Sequence, residues 1–167
     1  HPHPRFSFAT ALSVGVESWA EYLDMELAEP WSADTVKNAL NYVLPAGVEI
    51  LESSEIPLNS TSLSVIMDKV LYRVTLPTGL DLDLPARAAS FLALESYPYH
   101  REKKGKGQDF DLRLELQDLR VSGSVLEMVI GRGKPLEFAA AITGLSPEEL
   151  RGTRIEKLEV FFNNSPF

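Results

Sequence analysis

The stretch LRLELQDLRVSGSVLEMVI, residues 112–130, predicts a β-hairpin in the second half of the chain. Residues 112–121 and 124–130 form its two predicted strands, and Ser122-Gly123 between them is typical of the tight turn that joins antiparallel strands. The hairpin decides the predicted fold, because a strand and a helix are indicated before it and a helix and a strand after it.

Two helices flank the hairpin along the sequence. The first is predicted over residues 84–96, where Asp83 can cap the first turn and Pro85 occupies a position that helices tolerate. The second is predicted over residues 134–143 and ends at Gly144.

Two outer strands complete the second half. They are predicted over residues 63–76 and 155–162, and residues 97–103 form an additional extended arm. The resulting order of strand, helix, strand, strand, helix, strand is that of a βαββαβ ferredoxin-like unit. Residues 60–167 are therefore predicted to form a complete unit of this kind with a hairpin arm.

The first half follows the later part of the same order. It is predicted to contain a strand over residues 5–12, a turn over 13–18, a strand over 21–27, a helix over 33–44 and a strand over 47–58. Phe6 and Phe8 alternate with polar residues in the first strand, and Ser32 is suited to cap the helix. We therefore predict an α+β chain of two ferredoxin-like units with antiparallel sheets, of which the first, residues 1–59, lacks its initial strand and helix.

The charge of the chain is unevenly distributed. Residues 1–59 carry nine acids and two bases, a net charge of −7, whereas residues 60–167 carry fifteen acids and fourteen bases. An acidic surface repels phosphate backbones, so any nucleic acid is expected to bind the second half. The 167 residues include no cysteine, which excludes disulfides and cysteine-ligated clusters within this chain. Nothing in the sequence indicates secretion or membrane insertion, and a cytoplasmic location is expected.

The arm carries a concentrated positive charge. Arg101, Lys103, Lys104 and Lys106 lie within six residues that contain one acid. Such a stretch can contact phosphates, and the preceding Tyr97, Tyr99 and His100 could stack on bases. The alternative is a solvated hairpin arm whose lysines keep a sheet edge soluble.

Histidine chemistry is sparse. His1 and His3 form a pair, but two imidazoles are too few for a metal site, and we predict no metal and no cofactor in this chain. His3 and Arg5 are instead candidate polar contacts for an anionic partner. Only His100 lies away from the N-terminus, and no G-x-S-x-G motif is present, so no catalytic residue is predicted.

Several stretches resemble one family, the radical-SAM-linked domain of unknown function. They are HPHPRFSFATALSVGVES, AEYLDMEL, TSLSV with the later LYRV, and HREKKGKGQDFDLR. This resemblance implies a domain that lies C-terminal to a radical-SAM protein or is encoded beside one, and it implies a preceding strand and helix rich in basic and aromatic residues. A radical-SAM cluster needs three cysteines, so that chemistry would belong to a partner or to another part of the polypeptide.

Three functions follow as expectations. The first is a non-catalytic accessory module that presents RNA or a nucleotide-containing substrate to a radical-SAM partner. The second is a protein–protein docking module whose acidic first half, with an exposed sheet edge, meets a basic partner. The third is an RNA-processing enzyme that uses His100.

Overall fold

The computed structural model describes residues 5–103 and 106–163. Its elements in chain order are β1 (Arg5–Phe8), β2 (Val16–Ser18), β3 (Leu23–Glu26), α1 (Ala33–Val43), α2 (Leu63–Ile66), β4 (Met67–Thr75), α3 (Leu84–Leu92), β5 (Pro98–Lys103), β6 (Lys106–Asp111), α4 (Leu112–Glu115), β7 (Leu116–Ser122), β8 (Val125–Ile130), α5 (Pro135–Thr143) and β9 (Arg154–Phe162). Helices and strands are thus interspersed along the chain, and the fold is α+β.

The chain divides into two compact units. Among the described residues, the first unit comprises 5–10, 22–67 and 162–163, and the second comprises 11–21 and 68–161. The boundary between residues 59 and 60, which rests on element order alone, stays a prediction.

A five-stranded sheet forms the second unit, in the order β2-β9-β4-β8-β7. β8 pairs antiparallel with both β4 and β7, and β2 pairs parallel with β9. α3 and α5 contact each other, and the core between these elements contains Val74, Leu126, Met128 and Phe138, all fully buried. The expectation of purely antiparallel sheets is therefore wrong for this sheet, because β2 adds a parallel strand.

The sequence predicts a turn over residues 13–18. The structure has a turn at Gly15 but a strand, β2, over Val16–Ser18. Gly15 has a φ of +86°, which is the conformation that a turn glycine supplies. Directly after it, β2 lies along β9, with Val16 opposite Ile155. Its backbone groups pair with an otherwise free edge of β9, a partner too distant in sequence for local patterns to reveal.

Local capping chemistry confirms the predicted helix starts. The Thr35 N–H donates to Ser32 Oγ at 3.3 Å at the start of α1, and the Ala86 N–H donates to Asp83 Oδ1 at 3.1 Å at the start of α3. α5 ends at Gly144, whose φ is +70°.

Two predicted strands begin instead with a helical turn. α2 precedes β4, and α4 precedes β7. In α4 the Asp111 carboxylate accepts hydrogen bonds from the N–H groups of Arg113 and Leu114 at 2.8 and 3.2 Å, which caps a turn. Asp111 also accepts from the Tyr97 N–H at 2.9 Å, so the segment after α3 leaves the helix before residue 96.

The strand predicted over residues 47–58 is wrong. Both backbone groups of Ile50 bond to one side chain: its N–H donates to Asn41 Oδ1 at 2.7 Å, and its carbonyl accepts from Asn41 Nδ2 at 3.0 Å. Lys37 Nζ donates to the Leu51 carbonyl, and Ser53 Oγ to the Ala33 carbonyl. Residues of α1 therefore form hydrogen bonds with this segment, including with backbone groups that would otherwise pair with a neighbouring strand.

The first unit contains little buried apolar surface. β1 pairs antiparallel with β3 in a two-stranded sheet, and α1 has no buried residue. Of the twenty buried hydrophobic residues found in the described part of the chain, only Ala9 and Leu63 belong to this unit. A two-stranded sheet is at best marginally stable unless another layer packs on it.

Candidate functional site

The predicted anion-binding arm is the hairpin β5–β6. Its register places Tyr99 opposite Phe110 and Arg101 opposite Gln108, and Lys103 pairs with Lys106 at the described end. The side chains of Lys103 and Lys106, together with all of His3 and Lys104, lie outside what the structure describes.

Arg101 anchors the arm within the second unit. Its Nε donates to Glu137 Oε1 at 2.7 Å, its Nη2 donates to Glu137 Oε2, and its guanidinium lies 4.9 Å from the centre of the Phe110 ring. The hydrogen bonds that Arg101 donates to Glu137 raise the pKa of Arg101, and only 22% of the Arg101 side chain is exposed. This cation is neutralised by α5, so it supplies little free charge for a phosphate.

The two tyrosines of the arm are also used internally. Tyr97 packs against Phe91 with ring centres 5.5 Å apart, and Tyr99 packs against Phe110 at 5.4 Å. Burial raises the pKa of Tyr99, with a smaller contribution from the Glu137 carboxylate. Both rings are half-buried, which leaves less of each face for base stacking.

His100 lies on the opposite face of the arm. Its Nδ1 is 2.6 Å from Asp109 Oδ1, and both side chains are exposed. The ring lies so close to Gly107 that a Cβ at that position would be 2.5 Å from His100 Cε1. The arm therefore brings Tyr97, Tyr99, His100 and Arg101 together on one hairpin, but on two faces of it.

Arg5 lies in the first unit, whereas the arm belongs to the second unit. Its Nη1 donates to Glu26 Oε2 at 2.8 Å across the β1–β3 pair. The positive charge of Arg5, the only arginine in the sequence of the first unit, is therefore paired with the Glu26 carboxylate.

Sequence reasoning missed a buried ion pair in the second unit. Lys157 is 1% exposed, and its Nζ donates to Glu21 Oε1 at 2.8 Å. Ser18 Oγ donates to the same oxygen at 2.5 Å, and burial together with the Glu21 charge raises the pKa of Tyr72. At the start of β9, Arg154 donates to both carboxylate oxygens of Glu17 in β2. These pairs join β2 and the residues just after it to β9. No spacing in the sequence indicates them, because the partners are more than a hundred residues apart.

One face of the β1–β3 sheet consists of apolar side chains. Phe6 lies opposite Met25 and Phe8 opposite Leu23, and Leu27 follows on the same face. Phe6 and Phe8 are each 52% exposed, and Leu27 is exposed as well. We call these five residues the apolar face. The sequence predicted its alternation but not that it lies open.

A second element lies on the reverse side of this sheet. The Leu63 N–H at the start of α2 donates to Asp24 Oδ2 at 3.3 Å, and Leu63 is buried. Asp24 alternates with Leu23 and Met25, so its side chain points away from the apolar face. α2 therefore contacts the polar side of the sheet at Asp24. On the apolar face Leu23 and Met25 are half-buried, whereas Phe6, Phe8 and Leu27 are exposed.

The first unit is acidic as well as apolar. Its described residues carry seven acids and two bases, a net charge of −5. It also holds eleven of the eighteen exposed large hydrophobic residues, although it contains a minority of the described chain. Exposed apolar surface of this density is typical of interaction sites rather than of solvated surface.

Other kinds of site receive no support from the described residues. Across 5–103 and 106–163, no three or more His, Asp or Glu side chains are grouped closely enough to hold a metal ion. Within the same part of the chain, no helix has the length and apolar character needed to cross a bilayer.

A family model described as "Uncharacterized protein conserved in bacteria (DUF2344)" matches residues 1–139, which is most of the chain. No curated protein and no solved structure matches it. The match agrees with the domain of unknown function that the sequence resembles, whereas its association with radical-SAM proteins stays a prediction.

Proposed function

The chain belongs to the DUF2344 family of proteins conserved in bacteria, and we propose that it is a non-catalytic accessory module that docks a partner protein through its first unit. The observation that carries this proposal is the open apolar face on a unit with a net charge of −5. A surface of this composition favours a protein partner that brings apolar anchors and basic residues.

The size of the open surface supports docking. A phenylalanine carries roughly 150–250 Å² of burial surface, so Phe6 and Phe8 at 52% exposure each leave on the order of 100 Å² in water. Covering both would contribute at most about 5 kcal/mol at ~25 cal/mol per Å². Aromatic anchors of this kind are the residues that most often dominate interface energies.

The proposed architecture gives this surface a context. The order β9-β4-β8-β7, with α3 and α5 as the connecting helices, supports a ferredoxin-like fold for the second unit. We propose that the first unit is a partial copy of the same plan, in which β1, β3 and α1 correspond to later elements. A partial unit of this kind would leave apolar sheet surface open to a further element.

The proposed partner is a radical-SAM protein, which is what the sequence resemblance implies. In that pairing the cluster and the catalysis belong to the partner, and the cytoplasm is the proposed location. Presentation of RNA by the arm is the competing proposal. It is supported less well, because Arg101 is held by Glu137 and the remaining arm cations are the three lysines of its tip.

The test is a pull-down of the proposed radical-SAM partner with this chain, with and without RNase. The Phe6→Ser/Phe8→Ser variant should lose most of the partner, because both anchors lie on the apolar face. Leu114→Ser is the matched control, since Leu114 is 69% exposed but lies in the second unit, and it should retain the partner. Retention by the phenylalanine variant, or loss only in Lys103→Glu/Lys104→Glu with RNase sensitivity, would replace docking by the RNA proposal.

A further inference from the structure

We infer that the apolar face receives one basic amphipathic α-helix of the partner, an inference that rests on the proposed docking function. The face is built from two neighbouring strands, which lie about 5 Å apart and run about 13 Å along the Leu23-to-Leu27 direction. A helix has a diameter of about 10 Å and rises 1.5 Å per residue, so about nine residues of one helix span this face. One helix is thus the layer whose dimensions fit.

The exposed side chains of the apolar face can be buried by an element that packs on the face of the sheet, but not by a strand that pairs with its edge. A strand added to β1 or β3 would satisfy edge hydrogen bonds but would leave Phe6, Phe8 and Leu27 exposed to water. A sheet buries its apolar side by packing a helix or a second sheet against it. Because α2 occupies the reverse side at Asp24, the apolar face is the side left for an incoming helix.

The charge of the first unit selects a basic helix. Its two bases are already engaged, Arg5 with Glu26 and Lys37 with the Leu51 carbonyl. Within the described part of the chain, five exposed acids of this unit have no ion-pair partner, namely Glu29, Asp34, Glu49, Glu52 and Glu55. Lysines or arginines beside the apolar stripe of the incoming helix would meet this field.

The net negative charge of the first unit disfavours other molecules that could bind the apolar face. A second copy of this chain would bring a net charge of −5 against the same charge, and nucleic acid or an anionic lipid surface would be repelled in the same way. A helix with leucines at i, i+3, i+4 and i+7 and lysines elsewhere matches both the apolar face and the charge.

The probe is a fluorescent peptide of about twelve residues with this leucine and lysine pattern, long enough to span the face. Two control peptides accompany it, one with glutamate replacing lysine and one with the same composition in scrambled order. Anisotropy titrations against the full chain should show binding of the lysine peptide only. Phe6→Ser/Phe8→Ser should weaken binding by about tenfold or more, and Leu114→Ser should leave it unchanged. Leu27→Ser serves as a second variant on the same face, with a smaller expected loss.

Several outcomes overturn the inference. Equal binding of the scrambled peptide would show general charge attraction, and unchanged binding to the phenylalanine variant would place the peptide elsewhere. Self-association of the chain that the phenylalanine variant abolishes, without peptide binding, would assign the face to a second copy. If the peptide fails but the partner pull-down still depends on Phe6 and Phe8, the helix is refuted while docking stands. If the pull-down is insensitive to both residues, docking at this face is refuted whatever the peptide does.

Discussion

Replacing Glu21 by glutamine should destabilise the second unit more than replacing Lys157, its partner, by methionine. The two charges meet at 2.8 Å, but their environments differ: the Lys157 side chain is 1% exposed and the Glu21 side chain is 31% exposed. The substitution Glu21→Gln leaves a buried ammonium without a counter-charge. Lys157→Met removes the buried charge and leaves a carboxylate that water reaches.

The magnitudes follow from this asymmetry. Loss of one partner from a fully buried pair costs about 3–5 kcal/mol, and we expect about 2–3 kcal/mol for Glu21→Gln because glutamine still offers Lys157 an acceptor. A methionine of similar volume in an apolar site is often neutral, so Lys157→Met should cost about 0–1 kcal/mol. The double variant should resemble Lys157→Met, giving a coupling of about 2 kcal/mol.

The assay is urea unfolding of the two single variants and the double variant, followed by far-UV circular dichroism. The matched control is Glu17→Gln in β2, four residues before Glu21. The pair of Glu17 with Arg154 is exposed, so its loss should leave the unfolding midpoint nearly unchanged. If Lys157→Met proves as costly as Glu21→Gln, or if the double variant shows additive losses, the reasoning about a buried ammonium is refuted.

Three further predictions concern the second unit. Phe138→Ala removes a fully buried ring and should cost about 3–5 kcal/mol in urea unfolding, and a loss below 1 kcal/mol would contradict the assigned core. Arg101→Ala should accelerate amide hydrogen exchange in β5 and β6, because β5 loses the two hydrogen bonds that Arg101 donates to Glu137 in α5. Arg101→Lys should restore protection only partly, since lysine cannot donate in parallel to two oxygens. The hydrogen bond from Ser96 and those from the N–H groups of Tyr97, Leu114 and Arg113 lower the pKa of Asp111, so its contribution to stability is full above the unfolded-state value of about 4 and is lost as the pH falls through the lower folded-state value. Asp111→Asn should therefore flatten the fall in melting temperature below about pH 4, and an unchanged slope would contradict this role.

Local chemistry made much of the fold predictable. Ser32, Asp83 and Gly144 act within one helical turn, and the Ser122-Gly123 turn acts within one hairpin, so the sequence shows both the signal and its effect. Contacts between distant segments were not predictable. The Asn41 side chain bonds to the backbone N–H and carbonyl of Ile50, in a stretch whose sequence pattern predicts a strand. β2 pairs with β9, although its sequence predicts a turn.

The candidate site shows the same division. The cations of the arm were visible in the sequence, but the engagement of Arg101 with Glu137, 36 residues later, was not. The alternation of Phe6 and Phe8 predicted an apolar strand face, and a face of this kind is ordinarily covered. That it lies open depends on where α1 and α2 pack, which the pattern of a single strand does not encode.

Hydrogen–deuterium exchange of the chain, with and without the proposed radical-SAM partner, tests the central claim most directly. Docking through the apolar face predicts slower exchange in β1 and β3, with β5 and β6 unchanged, and predicts that Phe6→Ser/Phe8→Ser abolishes the slowing. Slowing confined to β5 and β6, with β1 and β3 exchanging as in the free chain, would contradict the account.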